Sequence, residues 1–172
     1  MANTNAPSGF KPIKSLSGSE LTCNYYAVAS SASRIGKGDL VVLVSDGTIK
    51  RETSAVAVGP WLGVALIDSG TITAAISKFP VCNDPAAIYE VQGSTAALAL
   101  TNLNTIVKAN CGTAPDSNTG ISKNVLTNTA ATASNGVRLV RFVDSPSNEV
   151  GASAKLEVQL NALYSAPGTA GV

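Results

Sequence analysis

Acid–base chemistry in this chain would have to rely on carboxylates or lysines, because the sequence contains no histidine. Histidine has the ordinary pKa closest to neutrality and is the most frequent general acid or base. The 11 Asp and Glu residues are scattered, and most follow turn sequences in which Asp bonds to nearby backbone. No two of them stand out as the carboxylate pair of a glycosidase. The sequence therefore predicts a protein that is not an enzyme.

The other reactive residues do not form a recognisable motif either. Gly36-Lys37-Gly38 is too short for a phosphate-binding P-loop, and no serine lies in a Gly-x-Ser-x-Gly elbow. Cys23, Cys82 and Cys111 are 59 and 29 residues apart (82 − 23 and 111 − 82), which matches no zinc motif. We therefore predict no metal, no cofactor and reduced, buried thiols, as is usual for a chain made in the cytoplasm.

The composition indicates a protein that buries much of its surface against something else. Of its 172 residues, 45% are hydrophobic and 13% charged, and the formal net charge is +1. So small a charge predicts no nucleic-acid partner, and apolar stretches as short as residues 40–44 predict no membrane span. A free monomer normally carries more charge for solubility, so we expect part of the surface to be an interface. A well-packed soluble domain is the alternative interpretation.

Short apolar runs separated by Gly, Pro, Asn and Asp predict an all-β fold, either a small antiparallel β-barrel or a β-sandwich. The candidate strands are residues 25–29, 40–44, 49–51, 71–76, 88–92, 105–109, 137–143 and 155–160. Asp46-Gly47 is a hairpin signal, and Gly63 inside an apolar run indicates a bulge or a close backbone approach. Residues 94–103 are the best helix candidate, because Ala and Leu favour helices, and residues 110–124 predict a long loop.

The two ends of the chain differ in composition from its middle. Residues 1–20 are rich in Pro, Gly, Ser and Asn and predict an extended N-terminal arm without the pattern of a secretory signal. Residues 21–164 predict a single β domain, with two similar β modules as the alternative, and residues 165–172 predict a small-residue tail. The candidate partner contacts are Phe10, Pro12, Ile13 and Trp61. Trp61, the single tryptophan, is either a core residue or an interface anchor.

Several segments match, in order, a pattern found elsewhere. The chain opens with Ala-Asn-x-x-x-Pro-x-Gly-Phe-Lys-Pro-Ile at residues 2–13, followed by Ser15-Leu16-Ser17-Gly18-Ser19. Further matching segments are residues 38–43, 46–49, 62–64, 83–85 and 89–92. In these segments the chain resembles the capsid decoration, or cement, proteins of tailed bacteriophages. The resemblance covers most of the chain, and none of its motifs is catalytic.

This resemblance implies a structural protein of the virion. Decoration proteins are small β-barrels or β-sandwiches that bind the outside of the phage head as dimers or trimers and reinforce its shell. The implied partners are the major capsid protein and further copies of this chain, made in the host cytoplasm. The long loop around Cys111 departs from the shortest members of the family. The alternatives are a minor head or tail component and a carbohydrate-binding β-sandwich, which only 5% aromatic residues disfavour.

Overall fold

In the computed structural model, which describes residues 3–132, 136–161 and 163, the chain forms a closed barrel and a six-stranded sheet. The barrel strands are β2 (Cys23–Val28), β3 (Leu40–Leu43), β4 (Ile49–Arg51), β5 (Gly63–Ala65) and β6 (Ile76–Cys82). The sheet strands are β1 (Lys11–Ser15), β7 (Ala87–Gln92), β8 (Ile106–Asn110), β9 (Val125–Ala130), β10 (Val137–Phe142) and β11 (Lys155–Leu160). The all-β prediction is confirmed.

The barrel comes from one continuous stretch of the chain, whereas the sheet combines β1 with the C-terminal half. The barrel order is β2-β4-β3-β5-β6, with β6 pairing back to β2, and the sheet order is β1-β7-β11-β10-β8-β9. All named strand pairs are antiparallel except β2 with β4. The Asp46-Gly47 turn joins β3 to β4 as the sequence predicted, with the Asp46 carboxylate accepting from the Thr48 N–H at 2.9 Å.

The core consists of two apolar layers, one inside the barrel and one between the barrel and the sheet. Along β3, Val41 belongs to the inner layer and its neighbour Leu40 to the layer shared with the sheet. Ala65 and Val64 repeat this alternation along β5. The sheet covers the shared layer with side chains that include Tyr89, Val91, Leu156 and Val158. Both faces of β3 and β5 are therefore buried.

Two local predictions are wrong. Residues 94–103 contain one 3₁₀ turn, Leu100–Asn102, instead of an α-helix. In this segment Leu98 alone is buried and Leu100 is 63% exposed, so the apolar stripe that stabilises a short helix is missing. The strand expected at residues 71–76 begins only at Ile76 and continues to Cys82.

The N-terminal residues lie against the rest of the protein, so the expected extended arm is not confirmed. Strand β1 pairs with β7, and its register shifts between Pro12 and Lys14. The Asn3 side-chain amide donates to the backbone carbonyls of Glu149 at 2.7 Å and Ala152 at 2.8 Å. Residues 3–15 are thus tied to the rest of the protein, and the predicted tail at residues 165–172 lies outside the described residues.

Candidate partner-binding site

The ionisable residues that the structure describes make ion pairs and hydrogen bonds that hold the fold together, and they do not gather into a reactive cluster. In the described part of the chain, no three His, Cys, Asp or Glu side chains are placed to hold a metal ion. The Arg34 guanidinium donates to both carboxylate oxygens of Asp68, at 2.8 and 2.7 Å. This contact holds the pKa of Asp68 below its ordinary value. No helix within the described ranges is long and apolar enough to cross a membrane.

A surface recess lies where the barrel meets the start of β1, and we call it the N-terminal groove. Its volume is about 400 Å³. Its apolar lining includes Phe10, Pro12, Leu66 and Ile121, and its charged lining residues are Lys11 and Lys37. Both lysines are exposed, and Ile121 is 39% exposed to solvent. The groove therefore presents apolar and cationic groups together.

The glycines of the sequence allow three backbones to meet at this groove. The Phe10 N–H donates to the Gly38 carbonyl at 2.9 Å, and the Gly38 N–H donates to the Ala65 carbonyl at 2.9 Å. Gly9 has a φ of 67°, and a Cβ at this position would lie 2.5 Å from the Gly38 carbonyl oxygen. Only glycine fits such a left-handed position at so close an approach. The Gly9-Phe10 and Gly36–Gly38 sequences thus position the N-terminal segment against the barrel.

The N-terminal segment and the barrel form two walls of the groove, and the long loop between β8 and β9 forms the third. Lys37 and Ile121 form a parallel bridge, in which Lys37 donates to Gly120 and accepts from Ser122, each at 2.9 Å. The buried Asp39 carboxylate reinforces this junction by accepting from the Ser122 hydroxyl at 2.6 Å and from the Gly36 N–H at 2.7 Å. These bonds attach the loop to the barrel and fix the position of Ile121.

Burial controls the ionisation of Asp39. It raises the pKa of the carboxyl group above the ordinary value, although the hydrogen bonds from Ser122 and Gly36 and the charge of Arg51 oppose it. The Arg51 guanidinium donates to the Cys111 carbonyl at 3.2 Å and the Thr113 carbonyl at 2.8 Å. Asp39 and Arg51 therefore attach the two ends of the loop to the barrel, and we assign both a structural role.

The structure brings two of the four predicted contact residues together in the groove. Phe10 is 1% exposed, and its ring meets Tyr89 edge to face at a centroid distance of 6.4 Å. Pro12 is half-buried, and Ile13, next on β1, is 37% exposed. Trp61 lies apart from them, fully buried in the shared core layer. Phe10 and Pro12 thus line the groove, Ile13 is exposed on β1 outside its lining, and Trp61 belongs to the core.

Sequence reasoning missed Lys37, Leu66 and Ile121. Of these three, Ile121 could have been recognised as a candidate contact residue, because it is an isolated isoleucine that follows Gly120 in an otherwise polar loop. Lys37 was noticed only as part of a Gly-Lys-Gly turn. Their proximity results from a bridge between residues 84 positions apart (121 − 37), and local patterns do not reveal such a contact.

The edge of the sheet beside the groove is unsuited to adding another strand. Strand β1 is the terminal strand of the sheet, and within the described residues it pairs with β7. It contains Pro12, which has no N–H to donate, a bulge at Ile13, and the charged residues Lys11 and Lys14. These are features by which proteins protect exposed edges from pairing with other chains. A partner at this edge is therefore more easily bound by side chains than by strand addition.

The outer face of the sheet carries most of its charge with one sign. By strand alternation and register, its basic residues are Lys11, Lys14, Lys108, Arg138, Arg141 and Lys155, and its acidic residues are Glu90 and Glu157. That gives this face a formal charge of +4 (six minus two), which leaves −3 for the rest of a chain of net charge +1. Arg141 at 2.5 Å, the first cause, and Lys14 at 3.2 Å lower the pKa of Glu157. The small net charge therefore conceals a cationic surface next to the groove.

Comparison of the chain with protein-family models finds no match. Neither the curated proteins nor the solved structures contain a match. The N-terminal groove, the cationic sheet face and the resemblance of the sequence segments are thus the grounds for a functional proposal.

Proposed function

We propose that this protein is a capsid decoration protein that binds the outside of a phage head through the N-terminal groove and reinforces the shell without catalysing a reaction. The observation that carries this proposal is the groove itself. Its inner wall is built by residues 8–12, which belong to the segment that resembles decoration proteins. The proposed partner is the major capsid protein, together with further copies of this chain.

The chemistry of the groove favours binding over catalysis. Its lining residues supply two ammonium groups, from Lys11 and Lys37, and no carboxylate or thiol. The lining therefore lacks the carboxylate, thiol or imidazole that most often accompanies an acid or base in catalysis. An apolar floor between two cations suits a segment of the partner that combines apolar side chains with Asp or Glu.

Reinforcement follows from binding only the assembled shell. A ligand that binds one state and not the other stabilises the first by mass action. A decoration protein that is itself a dimer or trimer engages several capsid subunits at once, so modest individual contacts give tight overall binding. The groove therefore needs only moderate affinity to contribute to a stable shell.

The direct test uses particles of the phage that encodes this chain, prepared with the gene deleted. We expect the purified protein to co-sediment with these particles, to appear by electron microscopy on the outer shell, and to raise the temperature at which they rupture. No nucleotide, metal or cofactor should be needed. Failure to bind the shell would contradict the proposal, and density on the tail instead would favour a minor tail component.

Two variants test whether binding uses the groove. Ile121→Asp places a charge on the apolar lining, and Lys37→Glu reverses a charge at the rim. We expect each to weaken shell binding by about tenfold, which corresponds to about 1.4 kcal/mol. The matched controls are Val56→Asp, at a 53% exposed apolar residue elsewhere, and Lys50→Glu, at an exposed lysine on β4. Groove and control variants that bind equally well would exclude the groove as the contact.

The charge of the groove also predicts a salt effect. The net charge of +1 alone predicts binding that depends only weakly on salt, but Lys11, which lines the groove together with Lys37, is itself part of the sheet face of formal charge +4. Because salt screens charges over about 8–10 Å at ordinary ionic strength, we expect shell binding to weaken as salt increases. Lys37→Glu should reduce this dependence, and Lys50→Glu should leave it unchanged.

A further inference from the structure

Two of the three cysteines lie opposite each other at the seam that closes the barrel. The register of β2 and β6 pairs Cys23 with Cys82. The Asn83 N–H donates to the Thr22 carbonyl at 3.2 Å, so the neighbouring cysteine pair occupies a non-hydrogen-bonded position. At such positions the Cα atoms are about 4.5 Å apart and the side chains lie on the same face. Disulfides span Cα distances of about 4.4–6.8 Å, so this backbone is already suited to one.

The surroundings of the two thiols give them different roles. Cys23 is exposed, contrary to the prediction of a buried thiol, whereas Cys82 is fully buried. Partial burial, followed by the adjacent Cys82 thiol, raises the pKa of Cys23 to about 11. The hydroxyl of Tyr89 lies 3.7 Å from the sulfur of Cys82 and contacts it from the core side. An oxidant in solution therefore reacts with Cys23 first, and Cys82 is the neighbouring thiol that can then react with the oxidised Cys23.

We infer that Cys23 and Cys82 form a cross-strand disulfide when the protein meets a small-molecule disulfide as oxidant, and that this bond locks the barrel. In the first step the Cys23 thiolate attacks one sulfur of the oxidant, forms a mixed disulfide and releases one thiolate. The Cys82 thiol then loses its proton and attacks the Cys23 sulfur, which releases the second thiolate. The protein loses two protons and two electrons, and the oxidant gains both to become two thiols.

The position of this pair in the fold gives the bond its effect. Cys23 is the first residue of β2 and Cys82 the last residue of β6, so the bond would join the two ends of the whole barrel segment. The other seam of β2 is weak, since within the described residues β2 pairs with β4 at a single position, Val28 with Ile49. A cross-link that closes a loop of 59 residues (82 − 23) restricts the unfolded chain strongly.

Cys111 takes no part in this chemistry. It is fully buried in the shared core layer, and burial raises the pKa of its thiol far above the ordinary value. Buried thiols of this kind are inert toward oxidants in solution. The inference concerns the isolated chain and does not depend on capsid binding.

The test exposes the folded, reduced protein to excess oxidised glutathione, then alkylates the remaining thiols and maps the peptides by mass spectrometry. We expect one linked peptide pair containing Cys23 and Cys82, and an alkylated Cys111. The melting temperature should rise by roughly 4–16 °C, and dithiothreitol should reverse the rise. Below the pKa of Cys23, the reaction should accelerate about tenfold per pH unit, because the thiolate is the nucleophile.

Two variants make the result specific. Cys23→Ser should abolish both the linked peptide and the melting shift, whereas Cys111→Ala should retain both. Persistence of all three thiols, a mixed disulfide that stays on Cys23, or a dimer linked through Cys23 would each overturn the inference. A correctly mapped bond with no rise in melting temperature would overturn the proposed locking of the barrel.

Discussion

Strand β3 of the barrel and strand β11 of the sheet differ in how many of their faces are covered by apolar layers. Strand β3, with the sequence Leu40-Val41-Val42-Leu43, contacts one apolar layer on each face. Strand β11, with the sequence Lys155-Leu156-Glu157-Val158-Gln159-Leu160, directs alternate residues to the shared layer and to the charged outer face. The period of two appears in a sequence only where one face of the strand stays polar. Because β3 is covered on both faces and β11 on one, the charged residues of β11 lie on the outer face of the sheet, where the cationic surface is found.

The largest effect should come from truncating adjacent residues in the two kinds of strand. Leu40→Ala and Val41→Ala should both destabilise the protein, because each removes buried methyl groups from a different layer. In β11, Leu156→Ala should cost about 2–5 kcal/mol, whereas its neighbour Lys155→Ala should change the free energy of unfolding by about 0.5 kcal/mol or less. Urea denaturation of the four variants measures these values. A tolerated substitution at Leu40 or Val41 would mean that one face of β3 is not packed.

A smaller change in the free energy of unfolding should appear at acid pH, and it should come from Glu157 on the sheet. The pKa of Glu157 is below its ordinary value because Arg141 and Lys14 contact the carboxylate. Its contribution to stability is therefore present above its ordinary pKa of 4.5 and is lost as the pH falls through the lowered value. Glu157→Gln should be less stable than the wild type at neutral pH and should lose less stability on acidification. Urea midpoints measured across this range check the prediction, with the exposed Glu20→Gln as the control.

The smallest change in stability with pH should come from Asp39, where the barrel meets the loop between β8 and β9. Its sign is opposite to that of Glu157: the contribution falls as the pH rises. Because burial raises the pKa of Asp39 above 3.8, the native protein keeps this proton at a pH where the unfolded chain has lost it. The contribution of Asp39 to the free energy of unfolding therefore decreases as the pH rises from 3.8 through the raised pKa. Asp39→Asn should remove this decrease. An unchanged pH profile for this variant would show that the hydrogen bonds and Arg51 fully offset the burial.

The sequence predicted the fold best where a local rule acted alone. The Asp46-Gly47 hairpin formed as expected, and Gly63 marks the close approach that was predicted, since a Cβ there would lie 2.2 Å from the Cys82 carbonyl oxygen. Strand β9 was missed, because Val125-Leu126-Thr127-Asn128-Thr129-Ala130 has three polar residues in succession, shows no apolar alternation and follows a long loop. Its position is determined by pairing with β8 and not by its own apolar pattern.

The candidate site was predictable only in part, for a related reason. Pro12 and Ile13 were recognised from their place in an N-terminal segment, but the burial of Phe10 depends on Tyr89, far along the chain. The same limitation applies to the cysteines: their spacing matched no zinc motif and gave no sign of a pair, whereas the pairing of Cys23 with Cys82 follows from the register of two strands. Local sequence indicates which residues are available, and long-range pairing determines which of them meet.

The continuity of the barrel segment has a consequence for the order of events on the ribosome. All five barrel strands are contained in residues 23–82, so the barrel has its complete set of strands before any of β7 is made. Strand β1 is synthesised first but pairs with β7, and Phe10 packs on Tyr89, so both wait for residues 87–92. The groove is therefore incomplete until Ile121 has also been translated. A nascent chain that stalls between Cys82 and Ile121 has all of its barrel strands and no groove to offer a partner.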